Sequence, residues 1–202
     1  AARSRDMVAP MDFVSDLPCL EVMLPHHLVA DQSLRQLVYA ARLFAGATGF
    51  EGALAGADLI ADIRMFATAS TVGTVRSARG LASAFNTGSG LLGIQHASML
   101  LHHPVMLGKW ASQFVMPVAI APTISASGRS VCAVLWLAFI AAYAVRNLKA
   151  CGSATGAERR TIHLTLRKLA LDVPLATHFM MGASLLPLAV VGLLGTVSSI
   201  LG

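Results

Sequence analysis

The chain has 202 residues, 55% of them hydrophobic and 12% charged, with a mean hydropathy of +0.68. That charge share is about half the soluble average, which excludes disorder over most of the length and points to lipid contact. A net charge of +5 with only 6% aromatic residues argues against single-stranded nucleic acid, which needs stacking platforms, and suits anionic lipid headgroups.

Charge is divided unevenly. Residues 1–62 hold four arginines and eight acids, whereas residues 63–202 hold eleven basic residues against Glu158 and Asp172. The opening "AARSRDMVAP" has neither a Met nor the apolar stretch of a secretory signal, which suggests a truncated start or a removed organellar presequence. With Pro10, Pro18 and Pro25 and no sustained helical period, residues 1–30 predict an extended arm lying on a partner or on a membrane surface. "DQSLRQLVYAARLFAG" follows as an amphipathic helix. Leu34, Leu37, Val38, Ala41 and Phe44 form its apolar stripe, Arg35, Gln36 and Arg42 avoid it, Asp31 or Ser33 caps it, and Gly46 ends it. That stripe fits the protein's own core or a lipid interface.

In "GADLIADIRMFATASTVGTVRSARGLASAF", Ile60, Ile63, Phe66 and Ala67 share a face, with Asp58 and Asp62 on another. Arg76 and Arg79, three apart, are neighbours on one side, giving a basic amphipathic helix suited to a membrane surface or a partner protein. No charged residue occurs from Gly80 to Gly108, and the part from Leu91 to Leu107 crosses a bilayer or lies buried at an angle. Trp110 to Gly128, interrupted by Pro117 and Pro122, predicts a kinked or re-entrant helix.

"SVCAVLWLAFIAAYAV", residues 130–145, is a span bounded by Arg129 and Arg146. Arg146, Lys149, Arg159, Arg160, Arg167 and Lys168 then predict a basic loop over 146–172, on the positive side of the membrane. A second uncharged span, Phe179 to Leu201, completes a hairpin, with Asp172 capping the final helix. Gly192, Gly195, Ser199 and Gly202 line one face of that helix, a packing surface for a neighbouring helix.

Catalytic chemistry has no visible carrier. "GSGLLG", Gly88 to Gly93, has dinucleotide-fingerprint spacing, but it follows a helical segment rather than a strand and reads as a helix–helix connection. His26, His27, His96, His103, His163 and His178 show no metal-ligand spacing, and Cys19, Cys132 and Cys151 read as unpaired thiols. Catalytic residues and metal ligands are therefore expected to be none.

The order of "LRQLVYAARLF", "DIRMFATASTVGTVRSAR", "LGKWAS", "AYAVRNLKA" and "LRKLALDVPLATHF" running into "VGLLGTVSSILG" resembles the peroxin eleven family of peroxisomal membrane elongation proteins. The similarity covers most of residues 31–202 and is most specific at Asp172, Pro174, Leu175, Gly192, Gly195, Ser198, Ser199 and Gly202. The resemblance implies an all-α integral membrane protein with amphipathic N-terminal helices, no enzyme active site, and lipid-contacting arginines at Arg64, Arg76 and Arg79.

Together these features predict residues 31–202 as a membrane domain with two to four transmembrane helices. Arg64, Arg76, Arg79, Arg159, Arg160, Arg167 and Lys168 are its expected lipid-headgroup ligands. The function expected is that of a non-catalytic accessory subunit of a large organellar complex, such as a respiratory-chain assembly or ATP synthase of the mitochondrial inner membrane. Its partners would be other subunits and an anionic phospholipid such as cardiolipin, with no other cofactor and no nucleic acid. One alternative is a homo-oligomeric peroxisomal membrane elongation factor. A second is a haem- or metal-binding membrane subunit.

Overall fold

The protein is described by a computed structural model over residues 18–70, 72–115 and 121–201. Seven α-helices and no strand occur among these residues: α1 (Pro18–Thr48), α2 (Glu51–Ser70), α3 (Val72–Thr87), α4 (Gly90–Val115), α5 (Ala121–Cys151), α6 (Gly156–Met180) and α7 (Leu188–Leu201).

The expected extended arm is corrected over residues 18–30, which are helical, while residues 1–17 lie outside the described residues. Pro18 occupies the first helical position, where its missing N–H has no helical partner to lose, so it opens α1 instead of breaking it. Local signals set the other boundaries. Glu51 favours the positive N-terminus of α2, and Ser89 accepts from the Leu92 N–H at 3.4 Å at the start of α4. Thr155 enters α6 in an extended conformation, with Glu158 in the first turn. Of "GSGLLG", expected to be a helix–helix connection, only Gly88, at φ +63, and Ser89 join α3 to α4; Gly90 to Gly93 form the first turn of α4.

The helices close a ring. α1 packs on α2, α2 on α4, α4 on α5, α5 on α6 and α6 on α7, and α7 returns to α1; α3 braces α4 from outside. One apolar cluster joins Tyr39, Leu175 and Val191 with Trp136 and Phe179 around them, and a second joins Ile140, Leu169 and Ala176 between α5 and α6.

Three expectations about the C-terminal half change. The basic segment 146–172 is not a loop. Arg146 and Lys149 ride the end of α5, Arg159, Arg160, Arg167 and Lys168 ride α6, and only residues 152–155 connect them. Phe179 to Leu201 is not one span, because the helix breaks after Met180 and resumes at Leu188. Gly182 and Ala183 take φ +71 and +62 there, and the Leu186 N–H donates to His178 Nδ1 at 2.9 Å, holding the turn. Nor does Asp172 cap the final helix; it is buried within α6. Leu91 to Leu107 and the proline-interrupted run are likewise parts of α4 and α5, with residues 116–120 between them outside the described residues.

Among the described residues, one helix segment is long and apolar enough to cross a bilayer, Ala126–Cys151, and only 22% of its most apolar window is buried inside the bundle. Two to four such spans were expected.

The seat of α7 answers what its glycine face is for. A Cβ at Gly192 would strike the Leu43 backbone, one at Gly195 the Tyr39 ring, and one at Gly46 the backbone of Leu188 and Ala189. The neighbour is α1 of the same chain, and the missing side chains let two backbones approach closely. Ser199 is buried on this face too, and Gly202 lies outside the described residues.

Candidate functional site

A half-open cavity of about 440 Å³ lies inside the ring, lined from α1, α2, α4, α5 and α6. Its walls mix apolar side chains with an unusual number of charged ones. Arg35, Arg42, Arg64, Lys109 and Arg129 face it, with Asp58, Asp62, His102 and His103.

Four of the five cations are held by carboxylates on other helices. Arg35 donates to Asp172 at 2.5 Å, Arg42 to Asp58 at 2.9 Å and Arg64 to Asp31 at 2.8 Å, while Lys109 Nζ stands 3.6 Å from Asp62. Arg35 is the most deeply committed. Ser198 bridges it to Asp172, donating to the carboxylate at 2.5 Å and lying 3.1 Å from the guanidinium, which also sits over the Tyr39 and Trp136 rings. This network joins α1, α6 and α7 and gives Asp172 its role. Ser199 works beside it, its carbonyl accepting from Gln32 and from Gln36.

The histidines divide by environment. His103 Nδ1 lies 3.1 Å from the Thr74 hydroxyl of α3, and burial lowers its pKa. Burial, with His103 and Arg64 adding repulsion, pushes His102 down to about 4. His102 is 8% exposed and its Nδ1 has no hydrogen-bond partner. His96 packs against Gly80 and is lowered by burial, then by Arg76 and Arg146. Among the described residues no group of three His, Cys, Asp or Glu side chains is arranged to hold a metal ion.

The residues expected to bind lipid headgroups do not form one surface. Arg64 points into the cavity wall. Lys168 is half-buried and its pKa is lowered by burial first, with Arg35 and Asp172 among the charges it feels. Arg76, Arg159, Arg160 and Arg167 are exposed, and Arg79 is half-buried. Arg160 and Arg167, seven apart, share a face of α6.

The arginines of α1 were expected to avoid an apolar stripe that would meet either the protein's own core or a lipid interface. Instead Arg35 is buried, while Leu37 and Phe44 of the apolar stripe are 55% and 54% exposed. Ile63 of α2 also faces outward as Asp58 and Asp62 line the cavity. On α7, Leu193 and Ile200 are exposed and Ser198 and Ser199 buried. The bundle thus buries polar groups beside its apolar clusters and Val38 of the α1 stripe, and leaves many large apolar side chains exposed. Phe66 and Ala67 have side chains outside the described residues.

No family model, curated protein or solved structure matches this chain.

Proposed function

We propose that the protein is a non-catalytic, bilayer-embedded helical subunit that packs against lipid and against neighbouring subunits of an organellar membrane complex. The observation that carries this reading is the inverted polarity. A soluble bundle does not bury Arg35, Gln95, His102, His103 and Asp172 while exposing Leu37, Phe44, Leu101, Leu193 and Ile200. In lipid the same arrangement is favourable, because exposed apolar side chains lose nothing there and polar groups bond to one another inside.

A structural rather than catalytic role is supported by the cavity's ion pairs, which commit its charged groups to joining helices. Arg159, Arg160 and Arg167 on the exposed side of α6 suit an anionic phospholipid such as cardiolipin. A peroxin-eleven-like elongation factor would need α1 to α3 lying in the headgroup layer, with charged faces toward water. The charged faces of α1 and α2 close on the cavity instead, which favours the subunit reading.

Native gel migration after mild solubilisation tests it. Co-migration with a large assembly is expected, and migration as a small homo-oligomer would remove the subunit reading. Full release from membranes by alkaline carbonate would remove bilayer embedding as well.

A further inference from the structure

The cavity's ion pairing is incomplete at one end. Arg129 is exposed at the cavity's rim, lines it, and makes no hydrogen bond or ion pair among the described residues. Lys109 faces the same end, since a Cβ on Gly128, the residue before Arg129, would lie 3.3 Å from the Lys109 Cβ. Its ammonium is 3.6 Å from Asp62, longer than the roughly 2.8 Å of a charge-assisted hydrogen bond, although its side chain is only 13% exposed. Two cations thus converge where one carboxylate stands at a distance.

Deeper in, the surface changes character along the antiparallel pair α4–α5. The register runs from Lys109 beside Gly128, through the His102 carbonyl facing the Cys132 thiol, to Gln95 bonded to Arg146. On the α4–α5 side the lining beyond the cationic end is Met106, His102, Met99, Cys132, Ala133 and Trp136, while the ion-paired Arg35, Arg42 and Arg64 line it from α1 and α2. Lys109 to Met99 covers about 15 Å of helix axis. His102, nine-tenths buried with Nδ1 unpartnered, stands in the same wall.

Arg35, Arg42 and Arg64 each hold a carboxylate at hydrogen-bond distance and serve as scaffold, whereas Lys109 is paired only at 3.6 Å. We propose that the cavity binds a small anionic amphiphile, its acid group taken by Arg129 and Lys109 and its apolar body lying along Met106, Met99 and Trp136. A carboxylate or a phosphate ester meets that requirement, because both present oxygens to a guanidinium fork. At about 440 Å³ the space is within the range of small-molecule sites. The inference does not depend on which assembly the protein serves.

The test uses the full chain with Trp110→Phe, leaving Trp136 as the reporting tryptophan, in neutral phosphatidylcholine nanodiscs. Dodecanoate and dodecyl phosphate are expected to change Trp136 emission saturably, and inorganic phosphate and dodecyltrimethylammonium to leave it unchanged. Arg129→Gln should weaken binding of both anions at least ~10-fold, and so should Lys109→Met, with helicity by circular dichroism as the folding control. If Lys109→Met fails to fold because Asp62 is stranded, Arg129→Gln still decides, since Arg129 leaves no partner behind. An equal response to the cationic amphiphile would mean plain apolar partitioning and overturn the proposal. So would saturation by inorganic phosphate alone, no saturable response to either anion, or undiminished binding by Arg129→Gln.

Discussion

The Arg35–Asp172–Ser198 network allows a quantitative test of what holds the ring closed. Arg35→Met would leave the Asp172 carboxylate, with its side chain 4% exposed, bonded only to the Ser198 hydroxyl. Breaking a buried pair from one side costs about 3–5 kcal/mol, because the remaining charge is neither solvated nor compensated. Asp172→Leu is the gentler change. The Arg35 guanidinium keeps Ser198 at 3.1 Å and the Tyr39 and Trp136 rings at 5.7 and 5.9 Å. Each aromatic contact supports the unpaired cation by about 0.5–1 kcal/mol, which reduces the expected loss to about 2–3 kcal/mol.

The double variant removes both charges and should lie within about 1 kcal/mol of the starting protein, since an apolar pair of similar volume often replaces a buried ion pair at little cost. Loss of helicity on titration with a denaturing detergent, from neutral nanodiscs, measures all three. The expected order of damage is Arg35→Met, then Asp172→Leu, then the double variant. Losses that simply add in the double variant would refute coupling, and a costlier Asp172→Leu would refute the assigned role of the rings.

Other outcomes follow from the same packing. Gly195→Leu should destabilise the isolated chain by at least about 1–3 kcal/mol, because the side chain meets the Tyr39 ring of the same molecule; a change confined to oligomer assembly would contradict the α1–α7 seat. In the folded protein, Cys151 should react with a thiol reagent well before the buried Cys132, which mass spectrometry of partly labelled protein would resolve. Replacing Arg159, Arg160 and Arg167 together with Glu should weaken binding to anionic vesicles relative to neutral ones, whereas Lys168→Glu should act mainly on stability because Lys168 faces the interior.

Much of the architecture is legible in the residues, and the exceptions share a cause. Helix identity follows from composition and period, and the α5 span from an apolar run between Arg129 and Arg146. The glycine face of α7 is also legible, because in a helix only close backbone approach rewards glycine at steps of three and four. Direction is not legible in the same way. Period places Leu37 and Phe44 on a stripe that Arg35 and Arg42 avoid, yet says nothing about which side meets solvent. In water the apolar stripe turns inward, and an apolar surrounding reverses the choice. Mean hydropathy of +0.68 agrees with the apolar surrounding proposed above. Applied to α1, it would have turned Arg35 inward and made Asp172, an isolated acid in a basic half of the chain, its natural partner.

That reversal also explains why the cavity could not be found from motifs. Its lining comes from five helices and from residues far apart in the chain, from Arg35 to Phe179; each of α1, α2, α4 and α5 contributes residues at helical steps of three and four, but that period does not say which faces meet. What unites them is the need of each charge for a partner once the outer surface is apolar. Asp31, Asp58, Asp62 and Asp172 are four of the chain's ten acids, and each meets a cation on another helix. In the proposed bilayer setting there is no hydrophobic drive between helices, so these pairs, with the α1–α7 glycine contact, would specify which helices are neighbours. The same logic singles out Arg129. Exposed at the cavity's rim with no partner among the described residues, beside a Lys109 that stands 3.6 Å from Asp62, it is the cation that the proposed anion would match.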